Sequence, residues 1–306
     1  MQFTTLAGLA LNLVLLAAPT ASAQGGGSKV KVMLLGDSIT QITCWRPKVW
    51  TQLASAGLSG AVDFVGSMRG LESKCGAAPA GFDPDHEGHS GWQAYDIARN
   101  NIAGWVQATR PDVLQFMLGT NDVNIGKRGV QPILDAYTSI LTATRGANPN
   151  VKVIIDKMIP TSWSDATIES VNSAIPGWAS QHSTASSPIV VADCSRAAGF
   201  TNAMLQQDGV HPNDQGDQFI AQQVGPKLIQ AIKAVQGGGG SAPVATATTT
   251  TAAAGGVLLP RPPRATARPC MRSAAGMGGR ARRAARKGAA RWLTNGIRNA
   301  PKKCRR

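Results

Sequence analysis

The chain has 306 residues, with 31 Lys and Arg against 17 Asp and Glu, a formal net charge of +14 at pH 7. The excess sits at one end: residues 237–306 hold 15 of the basic and none of the acidic side chains, so residues 1–236 hold the other 16 basic groups with all 17 acidic ones and carry −1. A basic whole-chain balance would point to nucleic acid, but the larger part gives that no support, and no nucleic-acid partner is expected for it.

In chain order, Leu6 to Pro19 is mostly apolar and is followed by Ala21-Ser22-Ala23, a small-x-small pattern before Gln24. Residues 1–23 therefore read as a secretory signal peptide, although Met1 to Thr5 carries no Lys or Arg, and an extracellular location is expected. That run is too short to span a bilayer and no other stretch approaches 18 apolar residues, so no membrane partner is expected. Short apolar runs then alternate with helical patterns. Val30–Leu35, Val62–Val65, Val113–Leu118, Val151–Ile155 and Ile189–Ala192 are near-continuous apolar segments, as in strands buried on both faces. Helices are predicted over Lys48–Ala56, Tyr95–Gln107, Pro132–Arg145, Asp165–Gln181 and Asn213–Val235. Strand–helix alternation predicts an α/β fold, a parallel sheet with helices on both faces forming one domain over residues 24–236. In such sheets the site lies beyond the carboxyl ends of the strands.

The loops at those ends carry reactive groups. Gly36-Asp37-Ser38 follows the first run and puts a serine on a tight turn, where it needs a base to become a nucleophile. Only His86, His89, His182 and His211 are available. His211 is the strongest choice because Asp208, three residues upstream, can receive the imidazole Nδ1–H and fix the tautomer. By itself that spacing more often marks an Asx-type turn. Asp193, at another strand end, is a weaker alternative acid. Asn121, in Gly119-Thr120-Asn121-Asp122, offers an amide donor, and Gly91 lets its backbone N–H approach a ligand closely. With the Ser38 N–H these make a three-donor oxyanion hole. Asp37 and Asp122 read as braces for their loops. Trp92 either floors a sugar pocket or packs under its loop.

Rival readings are weaker. Ser90 in Gly88-His89-Ser90-Gly91 superficially looks like a nucleophile elbow, but the spacing is one residue short and no strand is predicted before it. Asp83, Asp85, His86 and His89 are potential metal ligands, yet such loops usually prove to be hydrogen-bonded turns; no metal and no cofactor is expected. Of five cysteines, Cys44 and Cys75, both in early loops, are the expected disulfide, each being otherwise a small buried apolar residue.

Together the four blocks, Gly-Asp-Ser, the glycine of the second block, Gly-Thr-Asn-Asp and Asp-x-x-His, resemble the SGNH (GDSL-type) hydrolase superfamily over about Val30 to Val235. The opening Gly36 to Thr40 with Thr43-Cys44-Trp45-Arg46, and the second block Asp85 to Trp92, are most similar to fungal-type acetylxylan esterases of carbohydrate esterase family 3. Ile42 departs from the pattern, which has glycine after Gln41. The resemblance implies a three-layer α/β/α sandwich with a flavodoxin-like sheet. It also implies Ser38 as nucleophile, His211 as base, Asp208 as its orienting acid, and Gly91 and Asn121 as oxyanion donors. An acetylated polysaccharide is the implied substrate. A GDSL lipase or broad esterase, and a noncatalytic carbohydrate-binding protein, stay open as alternatives.

After Gln236 the composition changes. Residues 237–260 are rich in Gly, Ala and Thr, as in a flexible linker, and residues 261–306 form a basic tail with few large apolar groups that is expected to be disordered. In a shifted reading frame, Met271–Gly279 and Ala289–Ala300 can encode segments similar to a fungal family 1 cellulose-binding module. A frameshifted module is thus one reading, and a polybasic segment for acidic polymers another. As written, the tail lacks a disulfide-stapled aromatic face, and no cellulose binding is expected.

Overall fold

A computed structural model describes residues 28–238. The expected signal peptide, the basic tail with its shifted-frame segments, and all but the first two residues of the linker lie outside the described residues.

The strands are β1 (Val30–Gly36), β2 (Val62–Val65), β3 (Met68–Arg69), β4 (Asp85–Gly88), β5 (Val113–Met117), β6 (Lys152–Lys157) and β7 (Ile189–Asp193). The helices are α1 (Ser38–Gln41), α2 (Trp45–Ser55), α3 (Ala94–Asn100), α4 (Ile102–Thr109), α5 (Thr120–Asn124), α6 (Val130–Ala147), α7 (Asp165–His182) and α8 (Asp214–Gln236). The sheet runs β3-β4-β1-β5-β6-β7, with β2 also paired to β1. Every pairing is parallel except β3 with β4. The five strands expected from sequence therefore take the order β2-β1-β5-β6-β7, the flavodoxin-like winding. α2 packs with α8, while α6 packs with α3, α4 and α7. Between these groups lie strands such as β5, buried along its whole length. Among the described residues no helix is long and apolar enough to cross a membrane.

Two features escape hydrophobic periodicity. The helix expected over Tyr95–Gln107 is broken at Asn101 (φ −130°, ψ −47°), which closes α3 and opens α4. Ile97 and Ile102 are both buried yet five residues apart, out of phase on one continuous helix; the break turns both inward. The second is β4, whose sequence Asp-His-Glu-Gly has no apolar residue. Its Glu87 is fully buried and accepts from Ser67 N (2.8 Å), Ser67 Oγ (2.5 Å) and His89 Nε2 (2.6 Å). Specific polar partners hold this strand where apolar burial holds the others. β4 also corrects the expectation that no strand precedes Ser90.

β1 sits at the point where the chain turns from one sheet edge to the other, with β2 and β4 on one side and β5 on the other. A crevice opens there at the carboxyl ends. Residue 38 emerges directly after β1, and residue 121 shortly after β5.

Candidate active site

A four-residue helix such as α1 leaves its carbonyls without intrahelical partners. The following segment supplies them. Thr43 Oγ1 (2.5 Å) and Trp45 Nε1 (2.9 Å) donate to the Ile39 carbonyl, and the fully buried Arg46 donates through Nε to the Thr40 carbonyl (2.9 Å). The Arg46 guanidinium also reaches Gly70 O (2.9 Å), and burial lowers its pKa to about 10 against the opposing pull of Glu72. Cys44 is bonded to Cys75, the pair expected from sequence. Closing this 31-residue separation removes denatured-chain freedom equivalent to roughly 3–4 kcal/mol in the entropic model. Thr43-Cys44-Trp45-Arg46 is thus a clamp on the turn that presents Ser38. Ile42 at φ −108° needs no glycine, so the departure there is accommodated without backbone strain.

At the other end of the constellation, residues 205–212 form a tight loop closed by Gln206 N to His211 O (2.8 Å) and Gln206 Nε2 to Pro212 O (2.8 Å). Asn213 caps α8 by accepting from Gln215 N and Gly216 N. The two oxygens of Asp208 divide their work. Oδ1 accepts the Val210 (2.9 Å) and His211 (3.0 Å) backbone N–H groups, and Oδ2 lies 2.7 Å from His211 Nδ1. The Asx turn and the imidazole partner are one residue. Burial alone would raise the Asp208 carboxyl, but the donors from His211 and Val210 bring it below its ordinary value. With Nδ1–H donating to Asp208, His211 Nε2 is an acceptor, and Ser38 Oγ lies 2.8 Å from it. Ser38 Oγ, His211 and Asp208 thus form one hydrogen-bonded line across 173 residues of chain.

The two other residues expected as donors lie on neighbouring loops, which Asn121 links to each other and to Asp37. Residues 89–92 form a turn with Trp92 N donating to His89 O (3.1 Å) and Gly91 at φ +82°, a position that suits glycine in a type II turn. Ser90 N donates to Gln41 Oε1 (2.7 Å), tying this turn to α1 and leaving the Gly91 N–H without a protein acceptor among the described residues. Asn121 Nδ2 donates to Trp92 O (3.0 Å) and, at 3.3 Å, to Asp37 Oδ2. Asp122 braces its loop as expected, accepting from Ala94 N (2.6 Å) and Tyr95 N (3.0 Å) at the start of α3. The remaining residues singled out in the sequence have other partners. Asp193 pairs with Lys157 (2.6 Å) and Ser195; those donors outweigh its burial and lower its pKa, and His211 is paired with Asp208 instead. Asp83 accepts from Phe64 N, Asp85 pairs with Arg69, and His86 Nδ1 accepts from Gly88 N, its pKa lowered to about 3 by burial, with Arg46 and His89 adding. Trp92 is 38 % exposed and stacks on His89 at 4.6 Å; Trp105 lies 4.6 Å from His89 and 5.9 Å from Trp92, so the three rings form one cluster.

Sequence reasoning missed Gln41, Arg46 and the Glu87–His89 pair as supports. Arg46 lies in the quoted opening and Glu87 and His89 in the quoted second block, but their supporting role comes from partners that neither block reveals, such as Thr40 O for Arg46 and Ser67 for Glu87.

Asp37 caps α1 through Ile39 N (2.9 Å) and is completely buried. Burial raises its carboxyl to about 7; the Ile39 N–H opposes this and the nearby Asp122 adds to it. A folded-state pKa above the unfolded value means the native state binds the extra proton, so stability is lost as pH rises between about 4 and 7. Asp37→Asn keeps the cap and removes the titration. It should raise the melting temperature at pH 8, by a stability gain of order 2–4 kcal/mol, and change little at pH 4. Equal shifts at both pH values, read by calorimetry, would contradict this origin.

A serine hydroxyl, an imidazole and a carboxylate stand in line at the carboxyl end of a sheet with the SGNH hydrolase fold. Residues 34–219 match the GDSL-like lipase/acylhydrolase family, and the chain belongs to that family; it is a carboxylic ester hydrolase. Among solved structures it is similar to an acetyl esterase, a serine-to-alanine variant solved with an acetate ion (73 % identity, 67 % of this chain and 99 % of that one, TM-score 0.66). It is likewise similar to a carbohydrate esterase of family 3 from Talaromyces cellulolyticus (74 %, 67 % and 98 %, TM-score 0.66). A family 3 carbohydrate esterase from Clostridium thermocellum is more distant (28 %, 68 % and 99 %, TM-score 0.57). No curated protein sequence matches the chain.

Proposed function

We propose that this chain is a secreted serine esterase that removes acetyl groups from plant cell-wall polysaccharide, acetylxylan above all. The observation that carries the reading is the line from Ser38 Oγ through His211 to Asp208, at 2.8 and 2.7 Å. In this reading Ser38 Oγ attacks the ester carbonyl while His211 Nε2 takes its proton, and Asp208 stabilises the imidazolium. The oxyanion is met by the N–H groups of Ser38 and Gly91 and by Asn121 Nδ2. Collapse breaks the bond to the sugar oxygen, which leaves as an alcohol carrying the proton from His211. Water, deprotonated by the same nitrogen, then attacks the acetyl-enzyme and releases acetate, returning the proton to Ser38. No cofactor enters these steps. Trp92, stacked on His89 and open to solvent, is read as a floor for the sugar.

Support for a short acyl group comes from the similarity to an acetyl esterase and to family 3 carbohydrate esterases. The signal peptide at 1–23, the linker at 237–260 and the tail at 261–306 are part of the proposal and rest on sequence alone. The test is acetate release from acetylated xylan, with p-nitrophenyl acetate and p-nitrophenyl octanoate alongside. Acetate release with at least tenfold preference for the acetyl ester is expected; equal or better turnover of the octanoyl ester would favour a lipase.

A further inference from the structure

Three large apolar side chains are conspicuously exposed among the described residues: Trp92 at 38 %, Ile125 at 62 % and Trp163 at 59 %. All three lie on loops at the carboxyl end of the sheet. Trp92 follows β4, Ile125 ends the segment after β5, and Trp163 lies between β6 and α7.

Trp163 is fixed beside the reacting groups. Ser162 N donates to Gly209 O (2.9 Å), and Gly209 has φ +68°. A methyl placed on Gly209 would stand 2.3 Å from Ser162 Oγ and 3.2 Å from the Trp163 ring. The indole therefore rests against the loop that carries Asp208 and His211, close enough that only glycine fits beneath it. The Trp163 indole N–H has no protein acceptor among the described residues, whereas those of the buried Trp45 and Trp50 donate to carbonyls. The ring presents a flat face and a free donor at the rim. In the sheet order β4-β1-β5-β6, Ser38 leaves from β1, between the strands that lead to Trp92 and to Trp163. Those two strands are three spacings apart, about 14 Å.

We infer that Trp163 is a second sugar-stacking platform, which with Trp92 on the other side of Ser38 adapts the site to an extended acetylated glycan rather than to a single acetylated sugar. The inference rests on the esterase reading above. A pyranose ring two or three units from the acetylated one would lie on the Trp163 face, with its hydroxyls within reach of the indole N–H. Stacking of this kind contributes to binding of both ground and transition states, so its loss appears in KM.

The test compares the native chain with Trp163→Ala and Trp163→Phe, using p-nitrophenyl acetate and acetylated xylohexaose. For Trp163→Ala, KM for the hexasaccharide should rise about tenfold with kcat nearly unchanged, while kcat/KM for p-nitrophenyl acetate stays within twofold of native. Trp163→Phe should recover most of the hexasaccharide KM. If the native chain releases acetate from the hexasaccharide and Trp163→Ala does so with native KM, this inference fails and the esterase reading stands. Loss of p-nitrophenyl acetate turnover in Trp163→Ala would assign the ring to support of the 208–211 loop, overturning the platform. No acetate release by the native chain would overturn both readings.

Discussion

Ser38→Ala is expected to lower kcat/KM for p-nitrophenyl acetate by about 10⁶-fold while leaving the melting temperature close to native. The hydroxyl is the one group that forms the acyl bond in the proposed reaction, and no neighbouring side chain duplicates it. Ser90 is the nearest rival in sequence, but it is exposed on its turn, and its N–H is committed to Gln41. The fold should tolerate the change. Ser38 Oγ bonds outward to His211, whereas α1 is held by Asp37 at its start and by Thr43, Trp45 and Arg46 at its end. What survives would come from the Gly91 and Asn121 donors acting on bound ester, with water as nucleophile. A folded variant that kept near-native rates would remove Ser38 from the reaction.

Asn121→Ala is expected to cut kcat by about 10²–10³-fold with little change in KM. In the resting site Nδ2 spends its hydrogens on Trp92 O at 3.0 Å and on Asp37 Oδ2 at 3.3 Å. The second contact is long, a weak bond that an oxyanion can outcompete once negative charge develops on the carbonyl oxygen. Its contribution therefore grows between ground state and transition state, which is why the loss should fall on kcat. Steady-state kinetics with p-nitrophenyl acetate separates the two constants, and a change confined to KM would count against the oxyanion role.

Much of this was legible in the sequence because the informative residues are local. β1, β5 and β6 are buried on both faces and read as apolar runs; Asp208 and His211 are three residues apart; Gly91 and Asn121 sit in short blocks with their own turn chemistry. What stayed hidden acts at a distance. Arg46 gathers carbonyls from α1 and Gly70, and Glu87 joins Ser67 to His89; a buried charge whose partners lie in another segment has no periodicity to reveal it. Asn101 was invisible for a different reason. Ile97 and Ile102 each fit a helix, and only their mutual phase, set by the core, requires two helices. Trp163 had no neighbour in sequence to mark it, since its relation is to Gly209.

The composition of β4 has a consequence for how this enzyme would fail. The turn that offers the Gly91 N–H is moored by Gln41, by a buried glutamate and by a covalent sulfur link in the adjoining loop, while the strands across the sheet are sealed by aliphatic side chains. Stress that spares oil but cuts that link, such as a reductant, would loosen one margin first. Catalysis and global unfolding would then come apart, the chain falling silent while most of it is still folded.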